Sequence, residues 1–392
     1  MTDAIKTKVA VVKAAPGTGE AIEAAVRRAV ELAGGLPVEA GSTVLVKPNL
    51  VVVPSGPEAG ICTNVHVVKA VADLVREAGA VVIIGEASAP SHDTFVAMEA
   101  MGYDLLREHG YELVDMAKSE TMVVEIPGAE VLKEFTTFRL AVEADAIISL
   151  PVMKTHCQAD ITLSLKNIMG TAASVQKPRF HYEGLYDCIV DANTYHRPVF
   201  AVVDGITGQE GAGPTAGWPI QMNLIVAGRD LVAVDATCAR IMAFDPAGVE
   251  VIRRAAARGL GALDADAIDV VGESIEAVRR RFMRVMEDPR PPMDRLTIVQ
   301  GEDERSRRGV EPCQSCRTSL AAALMMMENA GTLDHVDDVT FLIGDAQPPE
   351  GADKVVAVGR CCIDELKGLP GFAPGCVPRS SDIAAAVLEV NP

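Results

Sequence analysis

Hydrophobic residues along the first half of the chain alternate between two spacings. Residues 9–13 form a short apolar run of strand length. Residues 20–33 place apolar side chains at helical spacing and stop at Gly34-Gly35. The same reading predicts strands over 43–47 and 81–85, and helices over 65–78 and 94–109, closed near Gly79 and at Gly110. A buried strand is expected over 146–150, then a helix over 160–169. Two more strands fall at 199–203 and 224–226, and a helix at 230–244 ends before Asp245-Pro246. This alternation predicts an α/β fold: a parallel or mostly parallel sheet with helices on both faces. Residues 171–184 and the Gly-rich 205–219 read as long loops.

A charged, proline-bearing stretch within 283–308 marks a boundary. The expected domains are a main α/β domain, 1–285, and a smaller C-terminal α/β unit, 286–392. The smaller unit carries helices at 318–330 and 382–390 and strands at 339–343 and 354–358. Of the 392 residues, 49% are hydrophobic, enough for an ordinary core. Only 4% are aromatic, so that core is mainly aliphatic. The formal charge of −18 argues against nucleic-acid binding and against anchoring to anionic membranes. It also means that an anionic ligand needs a locally basic pocket. The N-terminal residues show no signal-peptide core, and no apolar run is long enough to span a bilayer, so a cytoplasmic location is expected.

In open α/β sheets ligands bind beyond the carboxyl ends of the strands. The predicted strands end in Lys47-Pro48-Asn49, in Gly85-Glu86, in Pro151 followed by Lys154-Thr155-His156, and in Asp204-Gly205. That set describes a polar site of mixed sign. Lys47 and Lys154 suit a carboxylate or phosphate, and His156 suits acid–base work or metal ligation. Glu86 and Asp204 suit orientation or proton transfer. The candidate catalytic residues are therefore Lys154, His156, Glu86 and Asp204. The candidate substrate-binding residues are Lys47, Asn49, Thr155, Lys166, Asn167 and, in the long loop, His181. Taken singly, a lysine after a strand is usually a solvated charge; the coincidence at several strand ends is what points to a site. Asp235, amid an apolar helix, reads as a buried, satisfied acid. The sequence lacks G-x-G-x-x-G after the first strand, the P-loop pattern and the G-x-S-x-G elbow, which disfavours hydride transfer from a nicotinamide and ATP hydrolysis.

Five of the nine cysteines lie in the last 80 residues. Cys313-Gln-Ser-Cys316 precedes an apolar helix, Cys361-Cys362 follows a strand, and Pro-Gly-Cys376-Val-Pro opens the final helix. Thiolates on three loops can hold a [4Fe–4S] cluster or a zinc ion. Paired C-x-x-C knuckles, the usual zinc pattern, are absent, and Pro-Gly-Cys-x-Pro resembles the cluster motif of hydrogenase small subunits and of the quinone-site subunits of respiratory complexes. One [4Fe–4S] cluster on Cys313, Cys316, Cys361 and Cys376 is the expectation, with Cys362 turned into the core. Zinc or unliganded thiols are the alternatives.

The chain also resembles the family known as domain of unknown function 362. The resemblance rests on Val46-Lys47-Pro48-Asn49, Gly85-Glu86, Leu150-Pro151 with Lys154-Thr155-His156, Ser164 with Lys166-Asn167 and Gly170, His181, Asp191, Val203-Asp204-Gly205 with Gly213-Pro214, and Asp230 with Val234-Asp235-Ala236. It covers about residues 40–245. Members often carry a ferredoxin-like module with two clusters, whose C-x-x-C-x-x-C-x-x-x-C-P run is missing here, so one cluster is implied. The resemblance implies that Lys47, Lys154, His156 and Lys166 belong to one site.

Three functions fit this reading. The first is an iron–sulfur redox protein, an oxidoreductase or electron-transfer component of anaerobic chemistry, acting on a small anionic substrate and meeting a basic redox partner. The second is a non-redox lyase or isomerase with a Lewis-acid or structural cluster. The third is a scaffold with a structural metal. The residues leave a flavin, the substrate and the oligomeric state open.

Overall fold

The computed structural model describes residues 6–15, 17–90, 92–303 and 314–392. The main sheet contains β1 (Thr7–Lys13), β2 (Thr43–Pro48), β3 (Val81–Glu86) and β4 (Glu112–Asp115). A separate antiparallel hairpin joins β5 (Thr121–Glu125) to β6 (Glu134–Phe138). The main sheet continues with β7 (Ala146–Leu150), β8 (Val152–His156), β9 (Asp160–Thr162), β10 (Phe200–Glu210), β11 (Trp218–Gly228) and β12 (Ile268–Gly272). Its strand order is β12-β1-β11-β10-β7-β2-β3-β4, with β8 beside β10 and β9 beside β8. The sheet is largely parallel; β11 runs antiparallel to both β1 and β10.

Side chains alternate between the two faces of each strand, and both faces of the central strands are buried. Val44, Val46, Ile84 and Ile148 join a core with Val26 and Ala29 of helix Gly19–Leu32 and Val68 and Val71 of helix Val65–Glu77. Helices Leu231–Ile241 and Ser164–Asn167 also pack on sheet strands.

The chain divides into two compact units. The first takes residues 1–155, 161–177 and 186–282; the second takes 156–160, 178–185 and 283–392. The second has its own parallel sheet, β13 (Thr297–Gln300), β14 (Thr340–Ile343), β15 (Val355–Val358) and β16 (Phe372–Ala373). Helices Ser315–Ala330 and Ser380–Val390 cover it through Leu320, Leu324, Ile383 and Val387, which meet Phe341 and Val356. No helix among the described residues is long and apolar enough to cross a membrane.

Four segments differ from the sequence-based expectation. The helix expected over 94–109 breaks into Thr94–Ala100 and Asp104–Glu108 around Gly102, at φ +75°. Residues 160–169 do not form one helix. They form β9 and then the short helix Ser164–Asn167, because the Asp235 carboxylate accepts the N–H groups of Ser164 (2.8 Å) and Leu165 (2.9 Å) and starts the helix there. Residues 205–219 are not one long loop. β10 and β11 extend through most of them, and the glycines mark close backbone approach: a Cβ on Gly205 would lie 2.8 Å from Leu224 O. Residues 171–184 contain helix Lys177–Glu183, and helix Leu185–His196 follows it without an expected counterpart.

Candidate functional site

Parallel strands β2, β3 and β7 deliver their C-terminal residues to one edge of the first unit. There Lys47 is fully buried, and its Nζ donates to Glu86 Oε2 (2.6 Å), Asn167 Oδ1 (3.1 Å) and Pro48 O (3.2 Å). Asn167 is fixed in turn, since its Nδ2 donates to Ser149 Oγ (3.0 Å) and Lys47 O (3.2 Å). The second oxygen of Glu86 accepts the Ala87 N–H at 2.8 Å. Gly170 lies against this pair so closely that a Cβ would land on Glu86 Oε1 and Lys47 Nζ. Burial pulls the Lys47 ammonium below the usual lysine range, and the Glu86 carboxylate opposes that pull.

Lys154 is also fully buried, but its environment differs. Its Nζ donates to Asn49 Oδ1 and Ile61 O, both at 2.7 Å, and no carboxylate lies within ion-pair distance among the described residues. Burial lowers its pKa to about 7; Glu86 opposes the drop, and Lys166 adds to it. Two acceptors match the two N–H bonds of a neutral amine and leave its lone pair unengaged. Cys62 itself is pushed up to about 11 by burial, so it stays a thiol.

Lys177 belongs to the same cluster and was missed by the sequence reading. It donates to Ala87 O (2.7 Å) and Ser88 O (3.1 Å), and burial lowers its pKa to about 8, with Glu86 opposing and Lys47 adding. Its only sequence signal was a lysine in the long stretch after Gly170. Lys47, Lys154 and Lys177 therefore share the field of Glu86, with Lys166 acting on Lys154, in a chain of charge −18. Lys47 and Lys154 are buried, where a strand-end lysine is ordinarily solvated.

Other candidates are engaged elsewhere. Asp204 accepts the N–H groups of Asn64 (2.7 Å) and Ile206 (2.9 Å), which anchors the start of helix Val65–Glu77; burial raises its pKa to about 6. Thr155 Oγ1 donates to Gly211 O at 2.8 Å, on the loop joining β10 and β11. Asp235 is buried and satisfied, as expected, with a pKa raised to about 7 by burial. His156 and His181 belong to the second unit. His156 Nδ1 accepts the Gln158 N–H at 2.9 Å, and His181 Nδ1 lies 3.2 Å from Val377 O.

In the second unit the cysteine loops are tied by main-chain bonds. The Arg360 N–H donates to Gly375 O (2.8 Å), the Cys376 N–H to His181 O (2.7 Å), and the Leu185 N–H to Cys376 O (2.7 Å). Gly359 has φ +91°, and a Cβ there would lie 2.8 Å from Cys316 Sγ. A side chain at 359 would thus crowd the thiol. Cys316 sits in the first turn of helix Ser315–Ala330, whereas Cys376 precedes helix Ser380–Val390 by four residues. The helix-terminal thiol is therefore Cys316 and not the expected Cys376. Cys361 is half-buried and Cys362 is buried. Cys313 lies outside the described residues, and among those described no three His, Cys, Asp or Glu side chains are placed to hold one metal ion. In donor type the loops fit an iron–sulfur cluster: they carry soft thiols, and a four-iron cube takes each on a separate iron.

Residues 44–240 match the family described as a domain of unknown function, DUF362. The chain is 30% identical over 240 residues to the thylakoid-associated protein sll1697 of Synechocystis sp.; the match covers 58% of this chain and 71% of that protein. The structure of the lactate racemase apoprotein from Thermoanaerobacterium thermosaccharolyticum aligns with a TM-score of 0.40 and 15% identity. That alignment covers 61% of this chain and spans 57% of the racemase chain.

Proposed function

The chain belongs to the DUF362 family, and on that premise we propose that it is an enzyme of a small anionic substrate, with a redox role through one [4Fe–4S] cluster. The observation that carries the substrate class is the group of lysines 47, 154 and 177 around Glu86, with Lys166 acting on Lys154. Lys166 and Lys177 attract a carboxylate or phosphate. Glu86 and Asn167 hold Lys47 in place, so that its charge is fixed before a substrate arrives. The neutral amine of Lys154 accepts a proton near pH 7.

Cys313, Cys316, Cys361 and Cys376 would hold the cluster, which supplies one-electron transfer when bound. Support comes from the backbone bonds that tie the Cys361 and Cys376 loops and from Gly359 leaving room for Cys316. The acidic surface suits a basic redox partner. The name of the cyanobacterial relative supports work at a membrane surface, against the cytoplasmic expectation; fractionation of cells expressing the chain separates the two.

The deciding experiment is iron, acid-labile sulfide and zinc analysis of anaerobically purified protein, with visible spectra before and after dithionite. About four iron and four sulfide per chain, with a band that bleaches on reduction, is the expected result. Zinc alone, or no metal, overturns the redox role. The second reading, a non-redox isomerase or lyase, then takes over, favoured by the unpaired amine of Lys154 as a ready base.

A further inference from the structure

Lys154 is fully buried, so its amine has no open path to a substrate. The segment that joins β2 to helix Val65–Glu77 encloses it. Both acceptors of its Nζ, Asn49 Oδ1 and Ile61 O, belong to that segment. Asn49 and Thr63 tie the two ends of the segment together. The Asn49 N–H donates to Thr63 Oγ1 (2.8 Å), and the Thr63 N–H donates to Asn49 O (3.0 Å). Thr63 Oγ1 donates in turn to Leu150 O (2.7 Å), at the end of β7. Residues 50–62 are therefore an Ω-loop with a pinned neck, wholly within the first unit.

The loop is held unevenly. At its base the Ala89 N–H donates to Val51 O (2.9 Å), Cys62 Sγ donates to Val52 O (3.3 Å), and Leu50 packs in the core. From Val53 to Ile61 the only main-chain bond among the described residues is internal, from the Ala59 N–H to Gly56 O (3.2 Å). Ser55, Pro57 and Glu58 are exposed. Three things fasten this span from outside. Ile61 packs in the core, Lys154 donates to Ile61 O, and Gln209 Nε2 reaches Ala59 O at 3.4 Å, a long hydrogen bond.

The closed position also leaves polar groups short of partners. Gln209 is 1% exposed, and its Oε1 has no donor among the described residues. A buried acceptor without a donor is costly, and water admitted by a lifted loop would satisfy it. Lys154 is enclosed with no carboxylate at ion-pair distance, which disfavours closure in the same sense. Gly60 marks the closest approach. It has φ +66°, and a Cβ there would lie 2.1 Å from Gly208 O. The loop rests on β10 because residue 60 has no side chain.

We propose that residues 53–61 are a lid, hinged at Val52 and Cys62, that lifts to uncover Lys154 and closes to shut bulk water from it. This deepens the reading of Lys154 as the base and rests on it. The test reads access and not activity, so the two ideas fail separately. The full chain is pulse-labelled with acetic anhydride near pH 8 and its lysines are followed by peptide mass spectrometry, beside hydrogen exchange of the same protein. Lys154 should be acetylated slowly, while Lys47, equally buried but paired with Glu86, stays protected. Amides of 53–61 should exchange at least about tenfold faster than those of helix Val65–Glu77. Gly60→Ala should raise the acetylation of Lys154 about tenfold with Lys47 still protected, a pattern that unfolding of the variant would not produce. Four results overturn the proposal: Lys154 as inert as Lys47, both lysines labelled together, a Gly60→Ala rate equal to the parent's, or exchange of 53–61 at the rate of the helix.

Discussion

The lysine-bearing edge of the first unit and the cysteine loops of the second hold their reactive side chains by opposite means. Lys47 and Lys154 are enclosed, and their own side-chain atoms are fixed by an acid, two amides and backbone carbonyls. Enclosure costs desolvation whether or not a substrate is present, and it tunes the amines. The thiols sit on half-buried loops that are tied through the main chain. Sulfur is a weak hydrogen-bonding group, so its placement is left to the backbone. The first arrangement builds a field in advance, and the second presents donors at little cost.

The sharpest way to break this comparison is in the second unit. Cys316→Ser should remove nearly all bound iron while the melting of the protein changes little, read by metal analysis and circular dichroism. Full iron content in that variant removes Cys316 from the proposed set. In the first unit, Lys47→Met strands the buried Glu86 carboxylate and should cost about 3–5 kcal/mol in urea unfolding. Adding Glu86→Leu should recover most of that loss. Asp204→Asn keeps one acceptor oxygen but turns an N–H₂ toward a backbone N–H, and should cost about 1–3 kcal/mol.

The smallest effect concerns Lys154, whose replacement leaves no stranded charge. Lys154→Met should stay within about 1 kcal/mol of the parent at pH 9. The folded chain holds Lys154 at about 7, below its ordinary 10.5, so the unfolded chain binds more protons between those values. Parent stability therefore falls as pH is lowered from about 10 to about 7, and then levels off as far as this group is concerned. Lys154→Met should flatten that slope and leave the smaller part that Lys177, at about 8, contributes with the same sign. An unchanged slope would mean that Lys154 is charged in the folded protein.

The strand and helix alternation was legible because central strands buried on both faces read as short continuous apolar runs, as Val44, Leu45 and Val46 show, set between helices of 3.6-residue spacing. Residue types at the strand ends also marked Lys47, Asn49, Glu86 and Lys154, and the end of the following helix marked Asn167; the fold brings them to one edge. Burial of the lysines was not legible. It depends on acceptors such as Ile61 O, whose position follows from a loop with no periodic signal. Glycine misled at 205–219, since its signal for a turn and for two backbones touching is the same. Asp204 and Thr155 look like site residues in one dimension; in three they fasten backbone.

The second unit draws residues 156–160 and 178–185 from the middle of the chain. On the ribosome those two pieces emerge long before the 283–392 segment they join. Its folding therefore waits until residues 283–392 have emerged, and its contacts close over large sequence separations, which slows folding. A gene fragment starting at residue 283 would omit the segments that carry His156 and His181. Expression trials and any swap of this unit between relatives should therefore carry residues 156–160 and 178–185 with it and not cut at its apparent boundary.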